Sequence, residues 1–388
     1  MRPVSSRAPN SPPRVGFLID RWNPMRGGTE RALATFAAWL EARGCEVLAF
    51  GLEGPPAGVE APGTFVPVTT HGWTRGTRER HLARNLVAAA HAMGCNVTIG
   101  VRHLEEVDLY WPHGGSHRAT LRALGKRKTG RHRAFLDLER RAVADGGARR
   151  VVCVSELVRR ELLDDYPTSA QRLRLVPNGL DLERFRVEAR DEARAALLAE
   201  TGWSGVEPIL TFVGRNAKLK GLPRLVEALR RVDAPWRLFV AGPKDAGRWR
   251  SFANKRLGGA DRVHVVAEFE SLHLAAGSDL LVLPSRRDSC GLVVLEALAT
   301  GTPVLISDAV GAKEALRNRE DGEVFPVRLR PAELARRIEE RLKHIESNAT
   351  PHAEIAGSVR DRGLEPWLLA MERELLDLAR PSPQPTSA

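Results

Sequence analysis

The stretch that most constrains the fold runs from Leu280 to Gly301, where an apolar segment passes through a polar turn into an apolar helical pattern. Residues 280–284 are typical of a buried strand. Three leucines then follow at helical spacing, and Gly301 suits the end of a helix. A buried strand that leads directly into a helix able to pack on a sheet predicts an α/β unit.

Two acidic residues lie at this strand–helix junction. Asp288 falls in the turn, and Glu296 falls about one and a half turns into the helix. The free N–H groups and positive dipole end of the helix suit an anion or the hydroxyls of a sugar. The two carboxylates could accept hydrogen bonds from several hydroxyls. The alternative is a solvated acid together with an acid favoured by the helix dipole.

A second strand–loop–helix unit carries two cations. The apolar run 209–213 is followed by Gly214, Arg215 and Lys220, and Pro223 suits the first turn of the next helix. Arg215 and Lys220 would lie at one helix start, where fixed cations can neutralise a diphosphate leaving group without a metal. The alternative is a pair of surface cations beside a turn.

The first half of the chain opens on a similar arrangement. An apolar run at 15–19 precedes Gly27, Gly28 and Thr29, and Thr29 is predicted to cap the helix that follows. Glycines let backbone N–H groups approach an anion closely, although the two glycines taken alone favour a plain tight turn. The spacing is not GxGxxG, so no dinucleotide site is predicted.

A polar loop later in this half carries two histidines. His113 and His117 follow an apolar run that begins near Asp108. Such a loop suggests a site, while a structural role is the alternative for any single histidine. The residues alone do not choose among His113, His117 and Asp108.

Positive charge is concentrated in one segment. The formal net charge is +11, and residues 118–150 contain 11 Lys or Arg against 3 Asp or Glu. The middle of this segment, 125–134, is predicted to be a mobile loop. A basic block implies nucleic acid, a phosphorylated glycan or membrane headgroups as partner, and a solvated arginine-rich helix face is the alternative.

The remaining composition excludes several classes. The four cysteines form no CxxC pair, so neither a disulfide framework nor a zinc site is predicted. No apolar run approaches the roughly 18 residues needed to span a bilayer. The N-terminal residues lack the apolar core of a signal peptide, and residues 1–13 and 381–388 are predicted to be disordered. We expect a cytoplasmic protein.

Three motifs carry a resemblance to a known family. The pattern Asp288-x7-Glu296 within CGLVVLEALATGTPVLISD resembles the E-x7-E motif of retaining family-4 glycosyltransferases, with Asp in place of the first Glu. Gly-Arg215-x4-Lys220-Gly matches the family's GR-x4-KG, and 177–185 resembles its PNGVDxxxF hinge. The arrangement around the basic segment resembles the lipopolysaccharide-core glucosyltransferases of the family.

The resemblance implies the GT-B fold, with two Rossmann-like domains facing a central cleft. It places an acceptor domain at 14–185, a linker near 185–206, a donor domain at 206–360 and a helix at 361–380 that returns towards the first domain. It implies catalytic roles for Asp288, Arg215, Lys220 and His113. It implies donor contacts from Gly27, Gly28, Thr29, Arg215, Lys220, Pro243, Cys290, Gly291, Leu292, Val293 and Glu296.

The expected activity is transfer of a sugar, with UDP-glucose as first guess, to a hydroxyl of a glycan or lipid-linked glycan, with retention and without metal or cofactor. We expect the protein to contact the inner face of the cell membrane through 118–150. A sugar-nucleotide epimerase of the same fold, a donor-binding protein without turnover and a nucleic-acid binder are the alternatives. Phe135 is the one aromatic residue of the basic segment, which disfavours nucleic-acid binding.

Overall fold

The computed structural model describes residues 13–127, 129–347 and 351–379, with residue 260 described for its backbone alone. The predicted disordered tails therefore lie outside the described residues, apart from Pro13. The described chain forms two compact units. The first comprises Met1–Asn178 with Glu365–Ala388, and the second comprises Gly179–Leu364.

The first unit is built on a seven-stranded parallel sheet of order β3-β2-β1-β4-β5-β6-β7. Its strands are β1 (Arg14–Leu18), β2 (Glu46–Gly51), β3 (Thr64–Pro67), β4 (Val97–Gly100), β5 (Leu109–Tyr110), β6 (Arg150–Cys153) and β7 (Leu173–Leu175). Its helices are α1 (Gly28–Ala42), α2 (Arg75–Ala92), α3 (His117–Leu124), α4 (Arg131–Val143), α5 (Glu156–Asp165) and the chain's last helix, α14 (Leu364–Ala379).

The second unit is built on a six-stranded parallel sheet of order β10-β9-β8-β11-β12-β13. Its strands are β8 (Ile209–Val213), β9 (Arg237–Ala241), β10 (Val263–Val266), β11 (Leu280–Leu283), β12 (Val304–Ser307) and β13 (Gly322–Phe325). Its helices are α6 (Arg190–Thr201), α7 (Ala217–Lys220), α8 (Leu222–Leu229), α9 (Ala246–Leu257), α10 (Ser271–Gly277), α11 (Leu292–Ala299), α12 (Pro331–Ser347) and α13 (His352–Gly357). Short 3-10 turns occur at Ala170–Arg172, Val187–Ala189, Ala260–Arg262, Gly311–Ala315 and Arg360–Arg362.

Both sheets have the doubly wound strand order, which confirms the prediction of two Rossmann-like domains. The order reverses at β1 and β4 in the first unit and at β8 and β11 in the second. All residues of β8 and β11 are buried, as expected for central strands with helices on both faces. In such sheets ligands bind outside the carboxyl ends of the strands at the point of reversal.

The segment 185–206, which was predicted to be the domain linker, is largely helical. Ala193 and Leu197 of α6 are buried in the second unit. The Arg190 guanidinium donates to the Thr302 hydroxyl over 2.7 Å, and Arg194 pairs with Asp279 over 2.8 Å. The alanines and leucines of this stretch recur at helical spacing, which is the pattern of a helix with one buried face.

Candidate functional site

Three loops meet at the carboxyl edge of the second sheet, and backbone hydrogen bonds hold them together. The Arg286 N–H donates to the Leu219 carbonyl over 2.7 Å, which joins the loop after β11 to α7. The Asp288 N–H donates to Ala309 O over 2.8 Å, and Gly311 N–H donates to Asp288 O over 2.9 Å. Asp288 is therefore fixed through its own backbone to the loop after β12.

The carboxylate of Asp288 forms an ion pair with the Lys220 ammonium. The two side chains are 8% and 21% exposed, so the pair is mostly shielded from water. A Cβ on Gly214 would lie 2.7 Å from Lys220 Cγ, and glycine therefore leaves room for the lysine stem. The sequence predicts Lys220 for a diphosphate and Asp288 for sugar hydroxyls; the structure adds a direct contact between them.

Two glycines make this close packing possible. Gly221, between α7 and α8, has φ of +87°, and a Cβ there would lie 1.9 Å from the Pro284 carbonyl oxygen. Gly291, immediately before α11, has φ of +82°, and a Cβ there would lie 2.7 Å from Val310 Cγ1. Any larger residue at either position would strain the backbone and displace a neighbouring loop.

Arg215 lies on the exposed side of the same edge, in the loop after β8. Its carbonyl accepts a hydrogen bond of 3.4 Å from Lys244 N–H, so the loop after β9 supports it. Gly242 has φ of +89°, and a Cβ there would lie 3.6 Å from Arg215 N. Pro243 follows in this loop and is buried. The predicted residues Arg215 and Pro243 thus belong to neighbouring loops.

Glu296 lies on the wall of a pocket in the second unit. The pocket is lined chiefly by apolar residues, with Glu296 as its charged side chain. Its lining comprises Thr211, Val213, Phe269, Ser271, Leu274, Ala275, Leu281, Val293, Glu296 and Ala297. Val293 and Glu296 were predicted donor contacts. Phe269 was not among the predicted contacts.

The loop after β10 is fixed by Glu270, which the sequence reading did not single out. The Glu270 carboxylate accepts from Leu272 N–H over 3.3 Å at the start of α10 and also contacts the Arg184 guanidinium. Burial raises the pKa of Glu270, but the Arg184 and Leu272 hydrogen bonds outweigh this effect and lower it overall. Arg184 belongs to the segment that resembles the family hinge, and its charge is the signal that could have suggested this pairing.

In the first unit, helix α1 begins at Gly28, with Gly27 at the cap position. Thr29 therefore lies inside the helix, and the prediction that it caps the helix is wrong. Its hydroxyl instead lies 3.0 Å from His113 Nδ1. His113 Nε2 lies 2.8 Å from Asn178 Nδ2. Since the amide nitrogen donates, the network assigns the ring proton to Nδ1, which donates to Thr29.

His113 is 6% exposed, and these two contacts fix its ring beside the Gly27–Thr29 turn. The two alternative residues, Asp108 and His117, form hydrogen bonds with other partners. The Asp108 carboxylate accepts from both the N–H and the hydroxyl of Thr98, each over 2.9 Å, and is 2% exposed. His117 Nε2 lies 3.1 Å from His132 Nδ1. Of the three, His113 is the residue that contacts the glycine turn.

Within the described residues, no group of three or more His, Cys, Asp and Glu side chains is arranged to hold a metal ion. The described helices also include none that combines the length and apolarity required to cross a bilayer. The four cysteines are free thiols, and Cys290, beside Gly291, is buried.

Each half of the chain matches a domain family. Residues 26–184 match Glycosyltransferase Family 4, and residues 194–352 match Glycosyl transferases group 1. Together the two matches cover most of the chain.

Two curated relatives illustrate the similarity. Lipopolysaccharide glucosyltransferase WaaG of Escherichia coli is 26% identical over 334 residues, which span 80% of this chain and 84% of WaaG. The D-inositol 3-phosphate glycosyltransferase of Nocardia farcinica is 36% identical over 198 residues, or 47% of this chain. That alignment spans 42% of the relative's length, so less than half of it is matched.

Solved structures show the same fold. The crystal structure of WaaG, a glycosyltransferase involved in lipopolysaccharide biosynthesis, superposes with a TM-score of 0.80 at 22% identity, covering 93% of this chain and 98% of that one. Anabaena HepE in complex with UDP and glucose superposes with a TM-score of 0.69 at 17% identity, with the same coverage of both chains. With its two doubly wound units, its two domain matches and these neighbours, the chain belongs to the GT-B glycosyltransferases, and it is similar to the enzymes of the lipopolysaccharide core.

Proposed function

We propose that this chain transfers a sugar from a nucleoside-diphosphate sugar to a hydroxyl of a glycan or lipid-linked glycan, with retention of the anomeric configuration. UDP-glucose is the first candidate donor, and a lipopolysaccharide core is the model acceptor. The observation that supports this proposal is the ion pair between Lys220 and Asp288, which lies where the strand order of the second sheet reverses. Arg215 lies on the neighbouring loop.

Lys220 and Arg215 are the proposed diphosphate ligands. Negative charge on the diphosphate grows as the bond between phosphate and sugar breaks, so cations held in place before the reaction stabilise the transition state most. Lys220 is held by Asp288 and by the short helix α7, and Arg215 is exposed beside it. Donor phosphate would then share Lys220 with Asp288.

The pocket beside α11 is the proposed nucleoside site. Its apolar lining suits a base, with Phe269 as the aromatic side chain available to contact it. Glu296 is the charged group on its wall and is proposed to accept the ribose hydroxyls. The solved complexes of HepE with UDP-glucose support this class of donor.

The sugar itself is proposed to lie at the start of α11. Gly291 is the cap of this helix, Leu292 and Val293 are its first residues, and Cys290 and Asp288 lie in the loop before it. Pro243 is proposed to border the donor from the loop after β9. In the first unit Gly27, Gly28, Thr29 and His113 remain proposed contacts, supported by the family resemblance and by the hydrogen bond between Thr29 and His113.

The acceptor is proposed to be membrane-associated, with the protein at the inner face of the cell membrane. WaaG, which acts in lipopolysaccharide biosynthesis, is the relative that supports this acceptor class. The exposed Lys126 and Arg127 of the 118–150 segment support an anionic partner.

The test is a donor panel. Purified protein is incubated with UDP, GDP and ADP sugars, and both nucleoside diphosphate release and sugar epimers are measured. Slow release from one donor, accelerated by a heptose- or hexose-containing acceptor, is the expected result. Epimer formation without release would identify an epimerase. Tight donor binding with neither product would identify a binding protein.

A further inference from the structure

In the structure, several arginines of the basic segment 118–150 pair with acidic side chains or backbone carbonyls from other parts of the first unit. Arg122 pairs with Asp165 over 2.9 Å, and Arg141 pairs with Glu105 over 2.9 Å. Arg149 donates to the Leu378 carbonyl, and Arg150 pairs with Glu374 over 2.8 Å. These four arginines are therefore engaged within the first unit, and the net charge of 118–150 overstates the charge available to a partner. The predicted mobile loop also shrinks, because α4 already begins at Arg131.

Exposed cations that have no acidic partner among the described residues lie at the connection between α3 and α4 and at the start of α2. Lys126 and Arg127 are exposed in the first segment, and Arg75 and Arg78 are exposed in the second. Among the described residues, no acidic side chain lies within ion-pair distance of these four. Lys128 lies outside the described residues. The four charges are thus available to an external anion.

Packing between α2 and α4 brings the two segments together. A Cβ on Gly76 would lie 3.5 Å from Ala134 Cβ and 3.8 Å from the Gly130 carbonyl oxygen. Glu79, the acid of this part of α2, is already paired with Arg131 over 2.7 Å and also contacts Arg102. The surface therefore carries positive charge from the start of α2 and from the connection between α3 and α4, without a free carboxylate from Glu79.

Trp73 stands at the edge of this surface and is fully exposed, at 104% of its reference area. A hydrogen-bonded capping box between Thr74 and Thr77 fixes the residue that follows it. Gly72, with φ of +143°, sets the turn before it. Because the turn holds the indole away from the core, this side chain buries no apolar surface when the chain folds. Tryptophan beside cations is the arrangement found at membrane interfaces.

We propose that Trp73, Arg75, Arg78, Lys126 and Arg127 form a membrane-docking patch. The indole enters the headgroup region of an anionic bilayer, and the four cations bind lipid phosphates. The patch adds to the proposed function the surface that contacts the membrane. It rests on the proposed function in one respect, which is that the acceptor is lipid-linked. A single exposed aromatic offers no series of stacking platforms, which disfavours single-stranded nucleic acid.

The experiment uses the full chain with vesicles of phosphatidylglycerol mixed with phosphatidylcholine, some carrying brominated acyl chains. Sedimentation measures binding, and quenching of tryptophan fluorescence measures insertion. Wild-type protein should sediment at low salt, with quenching that Trp73→Phe abolishes. Arg75→Ser with Arg78→Ser should weaken binding by roughly tenfold or more. The matched control, Arg330→Ser with Arg336→Ser, removes the same charge from exposed positions of the second unit and should change nothing.

Three outcomes would overturn the patch. One is wild-type protein that does not bind anionic vesicles at low salt. Another is binding whose quenching survives Trp73→Phe, which would place the contact elsewhere. The third is equal loss in the control variant, which would reduce the effect to net charge. UDP binding, measured by calorimetry on the same variants, should be unchanged, so failure of the patch and failure of the proposed donor site give different results.

Discussion

At the carboxyl end of β11, Asp288 occupies the position where the resembling family has Glu, and its shorter side chain contacts Lys220. A carboxylate that holds an ammonium fixes the position of that charge before the donor arrives. We therefore expect Asp288 to act on the proposed reaction through Lys220, as a positioning residue. The burial of the pair makes this contact more than an ordinary surface salt bridge.

Asp288→Asn tests this role, because it keeps the size of the side chain and removes its charge. We expect kcat for donor cleavage to fall more than about tenfold, or roughly 1.4 kcal/mol, with a smaller change in KM. Asp288→Glu should recover part of kcat because the charge is restored. Steady-state kinetics on folded variants provide the measurement. An unchanged kcat in the Asn variant, or no rescue by Glu, would contradict the role.

Glu296 is expected to act on donor affinity. Glu296→Gln removes the negative charge from the pocket wall while preserving shape, and charge-assisted hydrogen bonds contribute about 1.5–3 kcal/mol. We predict that the Kd for UDP rises by roughly tenfold or more, as measured by calorimetry. Glu354→Gln, a change at an exposed glutamate of the same unit, is the control. Equal affinities in wild type and Glu296→Gln would remove Glu296 from the site.

At the scale of elements, a histidine cluster joins α3 and α4 to the sheet of the first unit. His103 contacts the Tyr110 hydroxyl over 2.6 Å, and its ring lies 5.6 Å from that of His117. Burial, with the neighbouring Arg102 charge, lowers the pKa of His103 to about 3. Burial and His103 lower the pKa of His117 to about 4. Both rings are therefore neutral in the folded protein at pH 6.

These lowered pKa values predict how stability depends on pH. Between pH 6.5 and about 4 the unfolded chain binds protons at these histidines while the folded chain does not, so the free energy of unfolding falls as pH falls. Above pH 6.5 the contribution is fully present. Urea midpoints for His117→Asn should show a shallower decline than wild type over this window. His71→Asn, at an exposed histidine, should retain the wild-type slope, and a parallel decline for His117→Asn would contradict the assignment.

Local patterns predicted the elements better than their ends. The helix after Gly291 and the strand–loop–helix unit around Lys220 follow from apolar spacing and glycine, and both are present. The cap of α1 was predicted two residues too late, at Thr29 in place of Gly27, because glycine can occupy the cap position that a hydroxyl residue usually takes. Helix α6 was missed because many charged residues surround its short apolar stripe.

At the scale of the whole molecule, sequence motifs predicted the two doubly wound units and the loops that carry the candidate site. They could not predict pairings between distant segments. Arg122 meets Asp165, and Lys220 meets Asp288, only after the strands are ordered in the sheet. A count of charges along the chain therefore overstated the basic surface. It also gave no sign that Trp73, which precedes α2, would lie on the same side as these cations, since that placement depends on α2 packing against α4.

The central claim is that fixed cations of the second unit, rather than a metal ion, hold a departing nucleoside diphosphate. The most direct measurement is UDP release from UDP-glucose, with acceptor and with EDTA, for wild type, Lys220→Ala and the matched control Lys218→Ala, which removes an exposed lysine from the same short helix. We predict that wild type stays active in EDTA, that Lys220→Ala loses more than about tenfold in kcat, and that Lys218→Ala stays near wild type. Wild-type activity that vanishes with EDTA and returns with a divalent ion, or equal losses in the two lysine variants, would contradict the account.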